Sequence, residues 1–244
     1  MKRSFYALFL AVLFISITEI STASTLVKII KSKSLQGDER SVSGFKGISS
    51  SGSYDLKITM GNKETLRLEG DNDMIKEIET VVENGVLKIR NKKHNNWNWR
   101  STRGKVTIYI TAKALNSITL SGSGDISVKG TVKADRLTNT LSGSGSISLT
   151  ANADEYLGTI SGSGEIEVRG SADKASIKIG GSGDFEGRAF KTSEAEVKIS
   201  GSGNASISAQ KNLNAAVSGS GNITYSGDPK VSQTKSGSGS ISRL

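Results

Sequence analysis

Between Asn91 and Gly104 the chain gathers side chains suited to recognition. The stretch holds its only two tryptophans, Trp97 and Trp99, its only histidine, His94, and the cations Lys92, Lys93, Arg100 and Arg103. Tryptophan faces stack on sugar rings or bases, the amides of Asn96 and Asn98 and the guanidinium of Arg100 can hydrogen-bond hydroxyls, and Lys92 and Lys93 can hold acidic groups. Trp97, Trp99, Arg100, Asn96, Asn98, Lys92 and Lys93 are therefore the candidate ligand-binding set. The competing account is a solvated hairpin tip whose tryptophans cover the side of the fold, since loops carry most sequence variation.

Other chemistry finds little support, and no catalytic residue, metal or cofactor is expected. A Ser-His-Asp or Cys-His nucleophile needs a histidine held by an acid, whereas His94 sits among lysines with no acidic residue nearer in sequence than Glu83. There is no cysteine and no second histidine, which removes zinc ligation. Glycine-rich corners are present without the Gly-Lys-Ser/Thr of a phosphate loop. Gly180-Gly181-Ser182-Gly183-Asp184 resembles a calcium-binding nonapeptide, but the equivalent position reads Asp125, Ser146, Glu165, Asp184, Asn204, Asn222 and Ser240, too few acids for a cage at each turn. Asp135, Asp154 and Asp173 recur at 19-residue steps, each after an alanine, and are the place to seek paired glycosidase carboxylates. Solvated return turns, with Arg136 and Lys174 between the like charges, are the plainer account.

The elements that must position these residues follow from a repeat. Ser-Gly-Ser-Gly or a near variant starts at Ser121, Ser142, Ser161, Gly180, Ser200, Ser218 and Ser236, at intervals of 18 to 21 residues. An apolar residue precedes the first six (Leu120, Leu141, Ile160, Ile179, Ile199, Val217), and apolar residues alternate after them, as in Ile126/Val128 and Ile147/Leu149. Alternation of period two reads as strand, and glycine permits positive φ and close backbone approach at a corner. Each unit is strand, corner, strand and return. One coil cannot bury its own apolar face, but a stack makes a continuous core. The fold class is all-β, a parallel β-solenoid of about seven coils that would rise on the order of 30 Å.

The chain begins as an exported protein would. Residues 1–23 carry Lys2 and Arg3, an apolar run from Phe5 to Ile15 and small residues to Ala23, the pattern of a signal peptide too short to span a membrane comfortably. Its removal leaves about 220 residues with a formal charge of +8 instead of +9. A basic balance permits contact with anionic polymers or membranes without requiring it, and nucleic acid is not an expected partner. The absence of cysteine also argues against a lipid anchor and against disulfides. Glycine, at 28 residues, would suggest disorder, but its placement is periodic.

Residues 24–41 form a polar, basic leader, and 42–120 an irregular strand-rich part continuous with the regular repeats of 121–244. Ser51-Gly52-Ser53-Tyr54-Asp55-Leu56 matches the later corners with Tyr54 in place of the second glycine, so a degenerate first coil is expected there. Met74, Ile75 and Ile78 at helical spacing behind Asp71 or Asn72 predict one short helix, and Asn84-Gly85 predicts a hairpin turn. In the final unit Gln233 and Lys235 replace apolar residues, a polar end that blunts an open edge, although Ile241 and Leu244 leave room for self-association.

These residues resemble a known family. The order Phe45, Ile48, Ser53-Tyr54-Asp55-Leu56, Leu66-Arg67-Leu68-Glu69-Gly70-Asp71, Asn84-Gly85-Val86-Leu87, Val106-Thr107-Ile108-Tyr109-Ile110 and Ser121-Gly122-Ser123-Gly124 is similar to that of the head GIN domain family, exported bacterial proteins described as auto-transporter adhesins. The resemblance runs over about residues 42–242. It implies a right-handed β-helix-like fold at or beyond the cell envelope, and it brings no catalytic residue. The expectation is a non-enzymatic binding module in the periplasm, at the outer membrane or on the cell surface, recognising a glycan or another envelope component. Its rivals are a carbohydrate-active enzyme on the same scaffold and a structural envelope protein that binds another protein.

Overall fold

The tetrapeptides lie directly above one another. In the computed structural model, which describes residues 37–92 and 105–244, Gly122, Gly143, Gly162, Gly181, Gly201 and Gly219 occupy one register column. Two features require glycine at the corners, one in this column and one at the second glycine of the tetrapeptide. At Gly143 φ is +135°, and an added Cβ would run into the carbonyl oxygen of Gly122 one coil away. At Gly164 the conformation is ordinary, but a Cβ would strike Gly145 O and lie 2.7 Å from Leu141 Cδ2. The closeness serves hydrogen bonding: Gly143 O accepts from both Ser163 N and Gly164 N at 3.0 Å. Gly180 is different, since it stands in a serine position where a Cβ meets nothing nearer than 3.9 Å.

The strands in chain order are β1 (Asp38–Arg40), β2 (Gly47–Gly52), β3 (Asp55–Met60) and β4 (Thr65–Gly70), then helix α1 (Asn72–Glu77), β5 (Ile78–Glu83), β6 (Val86–Asn91), β7 (Val106–Ala112) and β8 (Ser117–Gly122). The regular coils follow as β9 (Asp125–Gly143), β10 (Ser146–Gly162), β11 (Glu165–Gly181), β12 (Asp184–Gly201) and β13 (Asn204–Gly219), the next is split into β14 (Asn222–Ser226) and β15 (Lys230–Ser236), and β16 (Ser240–Arg243) lies on β14. From β8 onward every pairing is parallel, each coil lying on the one before it. The protein is a β-solenoid, as the repeat predicts. The described residues belong to a single unit, Leu35–Leu244.

Its core is a set of stacked columns. Leu120, Leu141, Ile160, Ile179, Ile199 and Val217 form one, and Ile126, Ile147, Ile166, Phe185, Ala205 and Ile223 another, all at most 2% exposed. Burying such side chains is worth about 1.5–3 kcal/mol each, the main stabilising contribution of the fold. In the second column Phe185 is followed by Ala205, a large side chain offset by a small one. Tyr156 packs on Phe185 and Phe190, with ring centroids at 6.1 and 5.1 Å. In the last coil Gln233 and Lys235 fall below Ala215 and Val217, and all of β15 is exposed, so polar residues take core positions where the stack of described coils stops.

The irregular part contains the expected local elements. Asp71 caps α1, accepting from Asp73 N at 2.9 Å and Met74 N at 3.1 Å, and Ile75 is buried. Asn84 and Gly85, with φ of 50° and 73°, turn β5 back along β6. The degenerate coil is β2 and β3, which pair with β8 and β9 as expected. The order of stacking is not that of the sequence, however. β6 and β7 pair with the opposite edges of β2 and β3, so the chain makes the β2–β3 coil, adds β6 and β7 on one side of it, then crosses to the other side to start the regular stack. Strands β4 and β5 run antiparallel to β7 and β6 and cover that end. Strand β1 falls within the stretch read as a leader, held through Arg40, whose guanidinium donates to the carbonyls of Ile78 at 2.7 Å and Ile75 at 3.0 Å.

Candidate functional site

Of the seven residues singled out for ligand binding, Lys92 alone lies among the described residues. It is exposed, and its N–H donates to Glu77 O at 2.8 Å. Lys93, Asn96, Trp97, Asn98, Trp99 and Arg100 lie outside them. The strands on either side of this stretch, β6 and β7, pair with β2 and β3 and not with each other, so they are not the arms of a hairpin. Beside them Tyr54 fills the place of the second corner glycine. Its ring is buried, its hydroxyl donates to Asn91 Oδ1, and burial pushes the phenol up to about 12.

The acidic columns are surface ladders. Ser146 Oγ donates to Asp125 at 2.7 Å, Asn204 Nδ2 to Asp184 at 2.9 Å, Asn222 Nδ2 to Asn204 at 3.0 Å and Ser240 Oγ to Asn222 at 2.7 Å. These bonds knit adjacent coils along the edge. Among the described residues no group of three or more metal-ligating side chains converges. Asp135, Asp154 and Asp173 do stack, bracketed by the registers of their neighbours, and all three are exposed. Arg136 pairs with Glu155, in the adjacent column, where Arg136, Glu155, Lys174 and Glu194 alternate in sign across four coils.

The concave surface that the sequence did not reveal lies across the outer face of β4, β7, β3 and β9, a groove of about 940 Å³. Two rows of side chains cross its floor. In one, Arg67, Tyr109, Lys57 and Ser127 are register partners, and in the next Thr65, Thr111, Thr59 and Lys129 are. The Tyr109 ring has Arg67 Cζ at 5.1 Å and Lys57 Nζ at 5.7 Å, so it holds two cations in place. Arg67 also pairs with Glu69 at 2.5 Å, whereas Lys57 and Lys129 have no carboxylate partner among the described residues. Glu64, on the wall, accepts from Gly44 N at 3.0 Å and lies 4.0 Å from Lys113. At the corner end of the same face, Asp55 holds Lys105 at 2.6 Å, raising the lysine pKa chiefly through their hydrogen bond.

Residues 44–229 match the family model described as "Putative auto-transporter adhesin, head GIN domain". Among solved structures, the chain is similar to a putative adhesin from Bacteroides fragilis, with 23% identity and a TM-score of 0.77, covering 85% of this chain and 96% of that one. A protein from Parabacteroides distasonis titled a putative lipid binding protein is 28% identical with a TM-score of 0.71, at 85% and 96% coverage. A putative adhesin from Parabacteroides merdae is 21% identical with a TM-score of 0.67, at 85% and 95%. The likeness to the two adhesins is one of fold. No curated protein matches the sequence. Among the described residues no helix is long and apolar enough to cross a membrane. With the matched region spanning the cap, the β2–β3 coil and nearly all of the regular stack, the chain belongs to the putative auto-transporter adhesin, head GIN domain family.

Proposed function

We propose that this protein is a non-enzymatic, exported β-solenoid that acts as a binding module at the cell envelope or surface, in adhesion. The observation that carries this reading is the register of the coils. Outward side chains repeat at the spacing between strands, about 4.8 Å, so a weak polar contact made by one coil can be made again by the next on a rigid support. Repetition of weak contacts on one scaffold raises avidity without a deep pocket. Membership of a family described as adhesins supports the same reading, and the signal-like residues 1–23 support export. The name of the Parabacteroides distasonis relative makes anionic lipid a ligand class to test beside glycans.

The test is binding of the purified protein to polysaccharides, anionic lipid vesicles and nucleic acid at two salt concentrations, beside a Trp97→Ala/Trp99→Ala variant. Saturable binding to one ligand class that survives the higher salt supports the binding module, and its loss in the variant assigns recognition to the tryptophans. Binding to every polyanion that vanishes with salt reflects only the basic charge. Binding to nothing in the panel overturns the reading in favour of a scaffold for another protein.

A further inference from the structure

The groove over β4, β7, β3 and β9 has the chemistry of a site for a chain of acidic sugars. We propose that it binds an acidic polysaccharide, with Lys57 and Lys129 taking carboxylates and the hydroxyls of Thr59 and Thr111 taking sugar hydroxyls. This rests on the adhesion reading and deepens it by naming a ligand class and a place.

The two lysines are the exception on this surface. Around them, Arg67 is matched by Glu69, Lys105 by Asp55, Lys113 by Glu64 and Arg40 by Asp38. Lys57 and Lys129 project from neighbouring strands and make no ion pair among the described residues. Lys57 is also restrained against the Tyr109 ring, which reduces the side-chain entropy lost when it takes a ligand. An ammonium held in this way and facing a concavity makes a charge-assisted hydrogen bond to any carboxylate that enters.

The hydroxyl row argues for sugar over other anions. Thr65, Thr111 and Thr59 are successive register partners with Lys129 at the end of the row, and none of the three hydroxyls makes a hydrogen bond among the described residues. Each is both donor and acceptor, which suits a ligand dense in hydroxyls. Successive strands present these groups about 4.8 Å apart, close to the length of one pyranose unit, so an oligosaccharide lying across the strands meets one side chain per sugar. Glu39 and Glu64 on the wall break the positive field. A nucleic acid, with charge at every step and few hydroxyls, gains less from this surface than a polymer with one carboxylate per sugar. A lipid headgroup would use the lysines but leave the threonine row unmatched.

The experiment uses the full chain and four probes: polygalacturonate, its neutral methyl ester, phosphatidylglycerol vesicles and phosphatidylcholine vesicles. Lys57→Gln/Lys129→Gln is compared with Lys191→Gln/Lys211→Gln, which removes the same charge from exposed positions on β12 and β13, and circular dichroism melts confirm that both variants fold. Wild type is expected to bind polygalacturonate and not the ester. The groove variant should lose about tenfold in affinity, as for two charge-assisted contacts, and the control variant less than about twofold. Thr59→Val/Thr111→Val should weaken polygalacturonate without affecting vesicle binding. Equal losses in the two lysine pairs would overturn the proposal, as would binding to phosphatidylglycerol vesicles alone. Tight binding of any glycan that ignores Lys57 and Lys129 sinks the groove but leaves the adhesion reading standing, whereas absence of binding to all ligands in this and the broader panel removes both.

Discussion

Asn139 Nδ2 donates to the hydroxyl of Tyr156 at 3.0 Å inside the stack, while Asn139 Oδ1 has no partner among the described residues. Both side chains are buried, and Gly158, beside Asn139 in register, leaves the room that Tyr156 uses: a Cβ there would come within 3.1 Å of the ring. Tyr156→Phe should therefore cost about 1–3 kcal/mol, because it strands the amide as well as removing a bond. Asn139→Val/Tyr156→Phe should be closer to wild type than the single variants predict by addition. Urea denaturation of the four proteins measures the coupling, and strict additivity would contradict it.

The two kinds of corner glycine give a second contrast. Gly143→Ala meets both a positive φ and the Gly122 carbonyl, which together should cost about 3 kcal/mol and lower Tm by roughly 5–15 °C. Gly180→Ser restores the serine found in the other coils and has space to do so, and Tm should move by no more than about 2 °C. Thermal melts by circular dichroism test both.

Acid should loosen the outer face of the coils. Glu167 is held below the usual carboxylate range by hydrogen bonds from Arg169 and then Ser148, and Glu196 mainly by its bond from Lys198. A carboxyl with a depressed folded pKa adds stability above its unfolded value, ordinarily 4.5, and that stability disappears as pH falls through the folded one. Each pair is partly solvated, so the sum is about 1 kcal/mol at most. Glu167→Gln/Glu196→Gln should flatten the fall of the urea midpoint below pH 4.5, and an unchanged slope would count against the assignment.

At the other extreme Tyr54 sets an alkaline limit. Its folded pKa is about 12 against an ordinary 10, so its contribution is complete below pH 10 and is lost as pH rises through 12. Tyrosinate absorbance during base titration should show Tyr54 ionising late, together with unfolding. Tyr54→Phe should remove that component from the titration while keeping the ring in its corner.

The features legible in the sequence were those whose causes are local or periodic. The tetrapeptide interval and the alternating apolar residues after it specify the coils, Asp71 the helix start and Asn84-Gly85 the hairpin. The placing of β6 and β7 on the far side of β2 and β3 was hidden, because it depends on which of several similar edges is covered, and alternation does not distinguish them. The groove was hidden for the same reason. Arg67, Tyr109 and Lys57 lie on three different strands and meet only through register. The 19-residue period did align the aspartates, but their cationic neighbour Arg136 found a better partner in Glu155, directly beside it on the next coil.

The position of β2 and β3 between later strands also sets the order in which the chain can complete itself. Ser146 finds Glu165 only 19 residues on, so each regular coil can close soon after the one before it. Gly47 must wait for Val86 on one side and Ser117 on the other, the latter 70 residues downstream. Loop closure over such distances is slow, and an uncovered parallel strand is prone to mispair meanwhile. The front of the molecule is therefore its kinetic bottleneck, exposed through synthesis until Gly122 arrives, and the rear assembles almost as fast as it is made.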